Sequence, residues 1–84
     1  MTITILRLPK VLAARGRRKS SHYDDIHAGL FVPPVAIGAR AKGYPNYEVE
    51  ALNAARIAGR SDDEIRQLVR DLIAARSRNA GGAK

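Results

Sequence analysis

The clearest pattern of apolar and polar positions lies near the C-terminal end. Ile65, Leu68, Val69, Leu72 and Ile73 recur at i, i+3, i+4, i+7 and i+8, the spacing of one apolar stripe on a helix. Ser61-Asp62-Asp63-Glu64 stands just before the stripe. It reads as a capping box, in which the serine hydroxyl and the glutamate carboxylate satisfy free backbone N–H groups at a helix start. The pattern predicts an amphipathic helix over 61–76, followed by a flexible tail over 77–84.

Earlier elements are shorter. Ile3 and Ile5 alternate with threonine, the period of a short strand. Leu8-Pro9 opens a first helix, since the N–H that proline lacks has no intrahelical partner at that position. Val11 and Leu12 face a core, and Gly16 ends the helix because it can take the left-handed conformation. A second helix starts at Ser20 or Ser21, either of which can cap it. Ser21 with Asp24 is a weak capping box, and Asp24 and Asp25 suit the positive end of the helix dipole. Tyr23, Ile26 and Leu30 point inward and Gly29 stops the helix. Two short helices joined through Gly16-Arg17-Arg18-Lys19 form a candidate helix-turn-helix.

Phe31-Val32-Pro33-Pro34 forbids helix and fits an irregular edge strand. Residues 34–44 read as a small hairpin with a basic tip. Tyr44-Pro45 starts a third helix with Val49, Leu52 and Ile57 as its apolar face, fading at Gly59. The expected fold is mainly α with a small β-hairpin. It is a winged helix-turn-helix domain over 1–60, with the helix 61–76 appended.

Charge gives this layout a partner. The net charge is +7 and the pI about 10.6, which favours a polyanion. Residues 1–43 carry eight Lys or Arg against two acids, and residues 44–84 carry seven against six. The positive field therefore belongs to the first half, where solubility alone would not require it to gather. Arg17, Arg18 and Lys19 lie at the entry to the second helix, where such a helix meets base edges and phosphates. Ser20, Ser21 and His22 add hydrogen-bonding groups there. Arg40 and Lys42 sit at or beside the hairpin tip, placed to enter a minor groove or clamp a phosphate. The competing reading of both groups is a solvated charged surface.

Enzymatic chemistry finds little footing. The chain has no cysteine, which excludes disulfides, thiolate zinc sites and cysteine nucleophiles and fits a reducing cytosol. His22 and His27 are five apart, not the four that aligns two ligands on one helix face, so no metal is expected. Asp24 and Asp25 diverge around their helix, and Glu48 and Glu50 read as solvated helix charge. No phosphate-binding loop is present, so no cofactor is expected. Nothing at the N-terminus reads as a secretory signal, and no apolar run approaches the roughly 20 residues of a membrane span. The expected location is cytoplasmic, at the nucleoid.

Several of these stretches together resemble the AlpA-like phage regulatory proteins, relatives of the MerR-type winged helix and of phage excisionases. They are Arg7-Leu8-Pro9-Lys10-Val11-Leu12, the turn at Gly16, Tyr23, Gly29-Leu30-Phe31, and Ile37-Gly38-Ala39-Arg40-Ala41-Lys42-Gly43-Tyr44. The run from Glu48 to Gly59 is similar to that family's last core helix, and the likeness covers roughly residues 5–60. The resemblance implies a helix-turn-helix with its recognition helix over about 20–28, a two-stranded wing over about 35–44, and a packing helix. It implies binding to the DNA of an integrated phage, plasmid or conjugative island. Members activate integrase genes or act as recombination directionality factors. This chain departs from the family at the helix opening, where Arg17-Arg18-Lys19-Ser20-Ser21-His22 replaces a serine-arginine-serine-threonine type. It departs again where Asp24-Asp25 follow Tyr23 in place of a basic residue. Tyr44 stands where the family commonly has tryptophan.

The leading expectation is an excisionase that binds and bends attachment-site DNA beside an integrase, with self-association on the DNA and the stripe of Ile65, Leu68, Val69, Leu72 and Ile73 as its surface. Two alternatives stand beside it: a transcriptional activator with the same DNA chemistry, and a protein-interaction module built on helix 61–76.

Overall fold

In the computed structural model, which describes residues 2–81, seven elements follow one another. They are β1 (Ile5–Leu6), α1 (Leu8–Arg15), α2 (Lys19–His27), β2 (Val35–Ala36), β3 (Lys42–Pro45), α3 (Asn46–Ile57) and α4 (Asp62–Gly81). The architecture is four helices around a small three-stranded antiparallel sheet. Among the described residues no helix is long and apolar enough to cross a membrane.

Local signals place the helix ends. Pro9 lies in the first turn of α1, and Gly16 closes the helix at φ 66°, returning its N–H to the Ala13 carbonyl. At α4 both capping-box bonds form: the Ser61 N–H donates to Glu64 Oε1 at 2.9 Å, and the Glu64 N–H donates to Ser61 Oγ at 3.2 Å. α2 begins earlier than the serines suggest. Its N-cap is Arg18, extended and without a side-chain cap, so Ser20 and Ser21 lie inside the helix and the Ser21–Asp24 box is not made. No acid stands in its first turn, and Asp24 and Asp25 do not serve the positive end of its dipole.

The expected hairpin is the antiparallel pair β2–β3, with Val35 opposite Gly43 and Ala36 opposite Lys42. The N-terminal strand joins it on the other side, Ile5 opposite Pro45 and Leu6 opposite Tyr44, giving the order β1-β3-β2. Gly43, on the central strand, is required by close approach. A Cβ there would collide with Ile5 Cγ2 and lie 3.0 Å from the Leu6 carbonyl oxygen.

One core joins all the helices. Val11, Phe31, Val32, Tyr44, Val49, Leu52, Ile65 and Val69 form it, with Ile26, Leu30, Leu68 and Leu72 packed against it. The stripe on α4 is therefore mostly spent inside its own molecule. Ile65 and Val69 are buried, Leu68 and Leu72 are half-buried against the core and Ile73 is 39% exposed, which leaves little of the stripe for the expected oligomerisation surface. α4 shares the core of residues 1–60 rather than extending from a finished domain. Ile57 is a correction: it is 87% exposed, because five residues on from buried Leu52 is about 140° around the helix.

Glu48, expected as a solvated charge, is fully buried. Arg76 meets it side-on, Nε donating to Oε2 at 2.8 Å and Nη2 to Oε1 at 2.6 Å, and Nη2 also donates to the Pro33 carbonyl at 2.7 Å. This fork ties α4 to α3 and to the chain entering β2. Helix covers residues 77–81 of the expected tail, and residues 82–84 lie outside the described residues.

Candidate nucleic-acid interface

Only Gly16, Arg17 and Arg18 separate α1 from α2. The left-handed Gly16 reverses the chain, and the Arg17 N–H bonds the Leu12 carbonyl at 3.1 Å. Arg17, Arg18, Lys19 and Ser20 are all exposed at the opening of α2, and Ser21 is half-buried. The first-turn N–H groups of α2 meet neither a side-chain cap nor an acid.

Beneath this turn lies a buried polar network that the sequence pattern did not reveal. Arg15, at the end of α1, extends its guanidinium over the Phe31 ring at 3.9 Å. It donates to Asp25 Oδ2 at 2.7 Å and to His22 Nδ1 at 2.8 Å. Asp25 also accepts from Arg17, Nε to Oδ2 at 3.0 Å and Nη2 to Oδ1 at 2.9 Å. His22 Nε2 lies 2.9 Å from Tyr44 Oη on β3. Arginine has no acceptor, so Nδ1 of His22 must accept, the ring proton sits on Nε2, and Nε2–H donates to the tyrosine oxygen. The network thus runs from α1 through α2 to the sheet.

Its electrostatics follow from burial and from the two arginines. Burial, with the Arg15 and Arg17 charges, pushes the His22 pKa below its ordinary 6.5 and keeps the ring neutral against the pull of Asp25. Burial alone would raise Asp25, but the hydrogen bonds from Arg15 and Arg17 outweigh it and hold the carboxyl below its ordinary value. Burial raises the Tyr44 hydroxyl to about 12.

These contacts revise the expected site. His22, expected at the DNA-facing edge, is fully buried and works from below, so it leaves the contact set. Tyr23, expected as an inward anchor, is 39% exposed; His22, Asp25 and Ile26 make the inner face of α2 instead. The outer face is Lys19, Ser20, Tyr23, Asp24 and His27. Arg17 keeps 43% of its side chain exposed while holding Asp25.

On the sheet, the Ile37 N–H donates to the Ala41 carbonyl at 2.9 Å and closes the loop that carries Arg40. Arg40 and Lys42 are both exposed. Lys42 precedes Tyr44 by two positions on β3 and so shares its face of the strand. Since Tyr44 is bonded to His22 in the first half of α2, the start of β3 is held beside the helix opening. Among the described residues no group of three or more His, Cys, Asp or Glu is arranged to hold a metal ion.

The chain is similar to a phage-encoded protein, the uncharacterized protein ORF88 of Enterobacteria phage P4, at 40% identity over 55 residues. The match takes in 66% of this chain, which spans 62% of the length of that relative. No family model matches the chain, and no solved structure matches it.

Proposed function

We propose that this protein is a sequence-specific double-stranded-DNA-binding protein of a mobile genetic element, acting as an excisionase. In this reading the domain is a winged helix-turn-helix, with α2 the recognition helix and the β2–β3 hairpin the wing. The observation that carries it is the exposed basic turn at the opening of α2, held beside the strand bearing Lys42 by the His22–Tyr44 bond. Arg17, Arg18 and Lys19 neutralise phosphates flanking the helix, and the uncapped N–H groups of its first turn add donors for a phosphate oxygen. Arg40 and Lys42 reach the backbone or minor groove beside it. The similarity to a phage P4 protein supports the mobile-element setting.

Such a protein needs no catalytic group, metal or cofactor. It changes the shape of attachment-site DNA so that an integrase assembles the excisive complex. Bending a site by tens of degrees costs roughly 1–6 kcal/mol, so several protomers on adjacent sites share it. Their contacts form on the DNA, since most of the α4 stripe is already buried. Footprinting on the element's attachment region and on the integrase promoter tests the reading. Protection across the attachment region is expected; protection of the promoter alone would replace excision with transcriptional activation.

A further inference from the structure

We infer that Asp24 is the base-discriminating residue of α2 and that its ligand is the amino group of a cytosine in the major groove. The inference rests on the DNA-binding reading above and adds to it the residue and the base. Asp24 and Asp25 are neighbours with opposite fates. Asp25 is buried and accepts from two arginines, whereas Asp24 is exposed and its carboxylate makes no hydrogen bond or ion pair among the described residues.

No local structural role accounts for Asp24. It is the sixth of nine residues in α2, past the first turn, where an acid gains nothing from the helix dipole. Its i−4, i−3 and i+4 neighbours are Ser20, Ser21 and Ala28, and among the described residues no hydrogen bond or ion pair joins it to His27 at i+3. It stands on the outer face with Ser20, Tyr23 and His27, one turn beyond the basic opening. A carboxylate at that place repels phosphate and weakens sequence-independent binding. It becomes favourable only where it meets a hydrogen-bond donor.

The groove offers few donors. A carboxylate accepts and cannot donate, and the major groove presents donors only on the amino groups of cytosine and adenine. Adenine places its N7 acceptor beside the amino group and would repel the second carboxylate oxygen. Cytosine has no acceptor of its own there, so it is the base Asp24 selects.

The test is selection from a randomised duplex pool with the full chain, as wild type, Asp24→Asn and Asp24→Ala, followed by binding titrations. The wild type is expected to require a C·G pair at one position, with A·T there weakening binding about tenfold. Asp24→Asn moves the preference at that position to adenine, whose N6 and N7 suit a side-chain amide, and leaves the rest of the site unchanged. Asp24→Ala levels that position and strengthens binding to unrelated duplex. Because the Asp24 carboxylate has no partner among the described residues, all three proteins melt alike. If both variants select the wild-type site with unchanged preference, Asp24 does not read a base and the DNA-binding reading stands. If the wild type enriches no site at all, the DNA reading falls and this inference with it.

Discussion

Two buried ionic networks hold this small protein together, and they are built to different ends. Glu48 and Arg76 form a closed pair: one acid and one base in a two-bond fork, capped by the Pro33 carbonyl. Asp25 is shared between Arg15 and Arg17, and the network continues through neutral His22 to Tyr44. The first fastens α4 to α3. The second leaves an excess of positive charge at the turn before α2 and orients that helix against the sheet. A buried pair that cancels itself gives attachment, whereas one that is over-supplied with cations positions a surface.

The largest expected effect comes from breaking the closed pair. Arg76→Met strands a fully buried carboxylate and should lower stability by about 3–5 kcal/mol in urea unfolding. The double variant Glu48→Met/Arg76→Met removes both charges and should recover most of the loss. A double variant no better than the single one would show that the fork does more than cancel charge. Next in size is Tyr44→Phe, which leaves the His22 Nε2–H buried without an acceptor and should cost about 1–3 kcal/mol.

The shared network also carries a pH signature. The folded-state pKa of His22 is lowered, so just below the ordinary value of 6.5 the unfolded chain takes up a proton that the folded chain refuses. Stability should therefore fall as pH drops from 6.5 toward the lowered pKa, and His22→Gln should flatten that slope. On the alkaline side Tyr44 keeps its proton to about 12 when folded but loses it near 10 when unfolded. Its contribution is lost as pH rises through that window, and Tyr44→Phe should remove this dependence. Unfolding midpoints measured across pH check both signs. The smallest stability effect belongs to Arg18→Ala, expected within about 0.5 kcal/mol of the wild type because the side chain is exposed.

Elements defined by local chemistry were legible in the sequence. Pro9 and Gly16 bound α1, and Ser61 and Glu64 open α4, because each acts on backbone groups within a few residues. The β2–β3 hairpin was legible for a similar reason, its arms being close in sequence. What escaped were polar side chains whose partners lie far along the chain: His22 with Tyr44, and Glu48 with Arg76. Hydrophobic periodicity scores such residues as outward. It therefore turned α2 by about one residue, putting Tyr23 in and His22 out. One cue was available. Arg15 follows Val11 by four positions, which puts it on the buried face of α1 and in need of an acceptor. The exposed basic residues were legible as charge, but nothing in their pattern showed that Arg17 also holds Asp25.

The central claim is that the over-supplied turn and the hairpin present a positive surface to duplex DNA, and the salt dependence of duplex binding tests it most directly. With about four phosphates neutralised, log Kobs against log salt should have a slope near −3.6. Arg18→Ala and Arg40→Ala should each make it shallower by about 0.9, while the folding free energies stay close to wild type. A slope near zero, or one unmoved by either substitution, would contradict the account.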